Sequence, residues 1–166
     1  MPDNPLTIFF PGKLVFGNGT LPQLANDIIT LHPDKVLLLT IDPLLHSLMP
    51  FKSSLEDAGI KVHQDTSIIA EPSFSDFEKL MNIVTPFDPD IVVGIGGGSV
   101  LDAAKLVAAQ LGNEQQLKDY VGIGLLKGRK KKLICVPATS GTGSEVSPNA
   151  ILIDGENQKK GIISPF

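Results

Sequence analysis

The chain has 166 residues, a length that suits one domain of ordinary size. Hydrophobic residues make up 42% and charged residues 19%, which are globular values, and a net charge of −4 argues against nucleic acid or an anionic membrane as the main partner. Cys135 is the single cysteine, so no intramolecular disulfide can form; no apolar run approaches ~18 residues, and the start lacks a basic stretch followed by an apolar core, so a cytoplasmic protein is expected.

In chain order, residues 6–10 and 13–16 read as short strands divided by Pro11-Gly12, an expected N-terminal β-hairpin. Thr20 is placed to cap a helix with Pro22 in its first turn, running to about Thr30. The aliphatic run 36–41 reads as a buried parallel strand. Residues 44–58 are helical in pattern, with an interruption expected near Pro50 and a stop at Gly59. A short strand follows at 61–66. Phe77, Leu80, Met81 and Val84 then share one face of a helix over 75–84, with Ser75 as its expected cap. Strands at 91–95 and 133–136, a helix at 100–111 and a closing antiparallel pair at 150–153 and 161–163 complete the pattern. The looser stretch 111–132 is expected to wrap the edge that bears the ligand. Its basic run Lys127-Gly-Arg-Lys-Lys-Lys132 reads as a solvated loop. Alternating strands and helices with long crossovers predict a doubly wound, mostly parallel α/β sheet of Rossmann-like type.

The stretch Asp90-Ile-Val-Val-Gly-Ile-Gly-Gly-Gly-Ser-Val-Leu-Asp-Ala-Ala-Lys105 carries the most chemistry. It reads as a buried strand, a turn stripped of side chains and a helix. Ser99 is placed to cap that helix, with Asp102 as its capping-box-like partner. A helix N-terminus with bare N–H groups binds phosphate, so Gly97, Gly98 and Ser99 are the candidates for a dinucleotide pyrophosphate. Asp102 is placed with them as an organiser of the turn, since a carboxylate repels the phosphates themselves. The competing reading is a turn that needs unusual φ/ψ and binds nothing. The spacing departs from G-x-G-x-x-G, with Ser99 where the last glycine would stand.

A second polar loop, Val136-Pro-Ala-Thr-Ser-Gly-Thr-Gly-Ser-Glu-Val146, follows the strand at 133–136. Alone it would pass for an ordinary Ser/Thr-rich loop. Like the glycine turn, it lies beyond the carboxyl end of a strand, where open α/β sheets bind ligands. Asp42, after the strand at 36–41, is placed to accept hydrogen bonds from an adenosine ribose and to repel a 2′-phosphate, which favours NAD over NADP. The alternative for Asp42 is a cap ahead of Pro43. Cys135, inside an apolar strand, reads as a small buried hydrophobe.

Together, Phe16-Gly-Asn-Gly19, Gly96-Gly-Gly-Ser-Val-Leu-Asp-Ala-Ala-Lys105 and Pro137-Ala-Thr-Ser-Gly-Thr-Gly-Ser-Glu145, with Asn149 and Lys160 after them, resemble the iron-containing (group III) alcohol dehydrogenase family over essentially the whole chain. The resemblance implies a dinucleotide-binding domain over 1–166, followed in full-length members by a helical metal-binding domain that this chain does not reach. It implies that Thr139 and Thr142 contact the cofactor near its phosphates and nicotinamide ribose, and that Asn149 and Lys160 lie at the nicotinamide end. The usual family Asp comes directly after Thr or Ser, whereas here Thr40-Ile-Asp42 displaces it by one. The implied activity is hydride transfer between an alcohol or aldehyde and NAD or NADP, with a divalent metal, iron or zinc, in a full-length protein. A homo-oligomer is open.

The family's metal ligands lie further along than Phe166, and His32, His46 and His63 show no ligand-like spacing, so no catalytic or metal residue is assigned and the chain alone is expected to be inactive. Two alternatives stand beside this reading: a related reductase of the maleylacetate or glycerol-phosphate type, and a non-catalytic nucleotide-binding module.

Overall fold

The computed structural model describes residues 11–166. Four helices and seven strands follow one another as α1 Leu21–Ile29, β1 Lys35–Leu39, α2 Leu45–Asp57, β2 Lys61–Asp65, α3 Phe74–Phe87, β3 Ile91–Gly96, α4 Gly98–Gln110, β4 Gly122–Ile123, β5 Lys132–Pro137, β6 Asn149–Ile153 and β7 Lys159–Ile163. Strands β2, β1, β3 and β5 pair in that order, all parallel. The chain builds outward from β1 to β2, then crosses back to place β3 on the other side of β1. The β1/β3 boundary is therefore the point where the strand order reverses.

Side-chain alternation splits the core into two layers. Val36, Leu38, Ile91, Val93 and Ile95 meet Ala25 and Ile28 of α1 and Leu48, Phe51 and Leu55 of α2. Leu37, Leu39 and Val92 face the opposite way, against Phe77, Leu80 and Val84 of α3 and most of α4. Burial on both faces explains why β1 and β3 are unbroken aliphatic runs. A second, three-stranded sheet, ordered β4-β7-β6, packs Ala150, Leu152 and Ile162 on this second layer. Its β6–β7 pair is antiparallel, as the sequence suggests, while the parallel pairing of β4 with β7 has no local signal. Tyr120, just before β4, is fully buried and donates its hydroxyl to Gln110 Oε1 at 2.9 Å.

Four local expectations are corrected. Residues 13–16 form no strand; Lys13 instead pairs with Asp27 of α1 at 2.6 Å, and the proposed hairpin partner at 6–10 lies outside the described residues. Thr20 holds the position before α1 without a side-chain cap, because its hydroxyl donates to Gly17 O. Helix α2 runs through Pro50 unbroken. Proline removes one backbone bond there, but Leu48, Phe51 and Leu55 are pinned to the core on one face, and their burial outweighs that loss. The cap of α3 is Ser73 rather than Ser75: Ser73 Oγ accepts from Asp76 N at 3.1 Å, and the Asp76 carboxylate accepts from Ser73 N, a reciprocal box that starts the helix one residue earlier. Gly59 does end the α2 segment. It takes φ +85, and Gly59 N and Ile60 N donate to Glu56 O and Leu55 O. Among the described residues, no helix is long and apolar enough to cross a membrane.

Candidate nucleotide-binding site

The site grows out of the carboxyl end of β3. Gly97 is extended, at φ −76 and ψ 178, and serves as the N-cap of α4, with its carbonyl accepting from Val100 N and Leu101 N at 3.0 and 3.1 Å. Helical geometry then leaves the N–H groups of Gly98 and Ser99 without intrahelical partners. No side chain fills that role. The Ser99 cap is thus corrected: the helix starts at Gly98, which puts Ser99 inside the first turn. The same shift carries Asp102 past the third helical position, beyond the reach of a capping box.

Glycine is required here for space. None of Gly96, Gly97 and Gly98 has positive φ, so the unusual-φ/ψ explanation of the turn fails. A Cβ on Gly94 would lie 2.7 Å from Ala104 Cβ, and one on Gly96 would lie 2.8 Å from Val100 Cβ. Those two glycines let α4 settle onto β3. A Cβ on Gly97 would meet Thr139 Oγ1 at 3.5 Å, and one on Gly98 would meet Thr142 Cγ2 at 3.2 Å. These two keep the helix N-terminus bare, opposite the hydroxyls of the second loop. The structure therefore brings half-buried Gly97 and Gly98, with Ser99 next in the chain, against exposed Thr139 and Thr142.

Asp42 flanks the same switch point from β1. It opens a short 3-10 turn, Asp42–Leu44, makes no side-chain cap bond and is exposed. The alternative as a cap ahead of Pro43 is not what the structure shows. Thr40, two residues before it, is fully buried with its Oγ1 unpartnered. Such an orphan hydroxyl at the switch point was not legible in an aliphatic run.

Asp102 turns away from the glycine turn. Its Oδ1 accepts from Ser144 Oγ and, at 3.3 Å, from Lys105 Nζ; its Oδ2 accepts from Ile151 N at 3.1 Å. Lys105 Nζ also donates to Ser144 Oγ at 2.7 Å and to Asn149 O at 2.6 Å. Asp102 and Lys105 expose only 14% and 13% of their side chains. Sequence reasoning gave Lys105 no role. The available signal was its isolation, with Asp102 three residues earlier, on a helix that buries Val100, Leu101, Ala103, Ala104 and Leu106.

Asn149 begins β6, and its backbone carbonyl is what the structure engages. Lys160 lies on β7 opposite Leu152, with its ammonium 3.0 Å from Asp154 and 3.1 Å from Gln158 Oε1. The hairpin turn thus holds Lys160, and no hydrogen bond among the described residues links it to the glycine turn. Among the described residues, one hollow is lined by Phe74, Phe77, Met81 and Leu117 and another by Glu114, Asp119, Leu125 and Lys127. Neither includes the glycine turn.

The sequence model of the iron-containing alcohol dehydrogenases matches residues 11–166. This chain belongs to the iron-containing alcohol dehydrogenase family. It is 33% identical over 158 residues to the sulfoacetaldehyde reductase of Bilophila wadsworthia, covering 93% of this chain and 41% of that protein. The fold superposes on a 1,3-propanediol oxidoreductase with TM-score 0.89 and 25% identity, covering 98% of this chain and 43% of the other. It superposes on the NADH-dependent butanol dehydrogenase A of Thermotoga maritima with TM-score 0.83 and 27% identity, covering 96% of this chain and 41% of the other. The chain spans about two-fifths of the length of these relatives.

The family's name implies a metal, and the described residues do not fit one. No three His, Cys, Asp or Glu side chains converge among them. His32 sits exposed at φ +49, His46 lies on α2, and the His63 ring is 5.3 Å from that of Phe87. A dinucleotide does fit: the cradle at Gly97 and Gly98 is one that a Cβ would fill, at the head of a 13-residue helix. Cys135 is half-buried, not fully buried as its apolar strand suggests, and desolvation pushes its thiol up to about 11, which favours the protonated form at ordinary pH.

Proposed function

We propose that residues 1–166 are the cofactor-binding domain of an oxidoreductase that transfers hydride between an alcohol or aldehyde and NAD. The observation that carries this reading is the uncapped N-terminus of α4, where a Cβ on Gly97 or Gly98 would meet Thr139 or Thr142 of the second loop, beside the switch point. The N–H groups of Gly98 and Ser99 and the Ser99 hydroxyl hold the pyrophosphate. The positive end of α4 favours its charge. Thr139 and Thr142 donate from the far side of the cleft. Asp42 accepts from the adenosine ribose and repels a 2′-phosphate, so NAD is preferred to NADP. Asn149 and Lys160 extend the binding surface toward the nicotinamide. Asp102 serves the site indirectly, through the loop it holds.

When bound, the nicotinamide is the hydride acceptor or donor. The residues of this chain orient the dinucleotide, and no catalytic acid, base or metal ligand is assigned among them. Calorimetric titration of the protein with NAD and NADP tests the reading. NAD should bind more tightly, and Asp42→Asn should narrow the gap. Binding of neither cofactor would refute the nucleotide site; tighter NADP binding would remove Asp42 from the ribose.

A further inference from the structure

We propose that Lys105 and Asp102 are positioning residues that lock the loop at 138–149 against the glycine turn, so that Thr139 and Thr142 are held ready for the nucleotide. The inference rests on the nucleotide reading above and adds the part of the molecule that holds the site together.

The loop needs such a lock. At its start it is tied down by Ala138 N donating to Gly96 O at 2.8 Å and by the pairing of Pro137 with Gly96. From Thr139 to Gly143 no hydrogen bond joins it to the rest of the described protein. Gly141 and Gly143, at φ +108 and +62, add backbone freedom on either side of Thr142. A stretch tethered at one end only would spread Thr142 over many positions, and the nucleotide would have to order it on binding.

The second tether is the Lys105–Asp102 cluster. Lys105 uses its ammonium on three acceptors: Asp102 Oδ1, Ser144 Oγ and Asn149 O. Asp102 uses both oxygens, Oδ1 on Ser144 and Oδ2 on Ile151 N. All contacts outside α4 fall on the far end of the loop and the start of β6. A buried pair of this kind loses hydration and adds little net stability compared with apolar residues of similar size. What it does supply is direction, since each partner accepts only one arrangement of the loop. Every hydrogen bond of the two side chains goes to the other, to Ser144, to Asn149 O or to Ile151 N, and none to the glycine turn. At 1.5 Å rise per residue, Asp102 lies about 6 Å and Lys105 about 10 Å along α4 from Gly98.

The test uses Lys105→Met and Ser144→Ala, each compared with the parent. Ser144→Ala keeps the ion pair and the Lys105 bond to Asn149 O but removes the bonds to Ser144 that hold the middle of the loop, so it remains informative if Lys105→Met fails to fold. Two quantities are read: NAD affinity by calorimetry, and hydrogen exchange resolved by mass spectrometry. Each folded variant should bind NAD about tenfold more weakly, the loss of one or two hydrogen-bonding restraints. Exchange should quicken at the hydrogen-bonded amides of Ser144, Val146, Asn149 and Ile151 while β3 and α4 keep parental protection, and saturating NAD should return these amides to parental protection. Variants that bind NAD as the parent does, or whose exchange rises throughout β3 and α4, would overturn the lock. Failure of the parent itself to bind NAD would overturn the nucleotide reading instead.

Discussion

Replacing Gly98 with Val probes the glycine turn directly. The new Cβ would stand 3.2 Å from Thr142 Cγ2 and 3.3 Å from Thr142 Cβ, and the two γ-methyls would extend past it. Thr142 is exposed between two glycines, so it can shift outward, and the main cost falls on the ligand. The methyls would cover the N–H groups of Gly98 and Ser99. A hydrogen bond to a charged group contributes about 1.5–3 kcal/mol, so losing one or both weakens cofactor binding by at least ~2 kcal/mol, roughly 30-fold. The fold should survive. Gly98 has no positive φ, and Val in the first turn of a helix costs under about 1 kcal/mol. Circular dichroism establishes folding, and calorimetric titration with NAD reads the affinity. A folded Gly98→Val protein that binds NAD as the parent does would show that the turn is structural and that the nucleotide sits elsewhere.

Gly94→Ala should do the opposite. Its Cβ would lie 2.7 Å from Ala104 Cβ, between a central strand and a buried helix, so stability should fall by about 1–3 kcal/mol in urea unfolding. Ser73→Ala should cost about 1 kcal/mol by removing the cap of α3. The Ser73 hydroxyl, and then Lys79, hold the Asp76 carboxyl below its usual range, so their contribution is present above about pH 4 and lost as pH falls through the native value. Ser73→Ala should therefore flatten the acid side of the stability–pH curve, measured by thermal melts. Cys135 should alkylate slowly in the native protein at about pH 8 and quickly in urea, because burial keeps its thiol protonated; equal rates in a mass-spectrometric time course would refute that assignment.

Residue order alone determined the strands and helices of the main sheet. Val36 to Leu39 and Ile91 to Ile95 are aliphatic enough to be buried on both faces, and Phe77, Leu80 and Val84 mark one side of α3. The glycine turn and the polar loop were legible as a pair because both follow strands. Their facing geometry was not, nor the reason for each glycine. Gly94 and Gly96 are small for α4, while Gly97 and Gly98 are small for Thr139 and Thr142. In isolation Ser99 is a good cap and predicts a later start for α4, whereas extended Gly97 already receives Val100 N and Leu101 N and starts the helix at Gly98. Pro50 stays helical because its neighbours are packed. Propensity, periodicity and capping act over about four residues, and within that reach the sequence is informative. Lys105 meets Ser144 across 39 positions, and Asp102 meets Ile151 across 49. Only the packing of α4 between the main sheet and β6 brings those groups within hydrogen-bonding distance, so their role was decided by the tertiary structure.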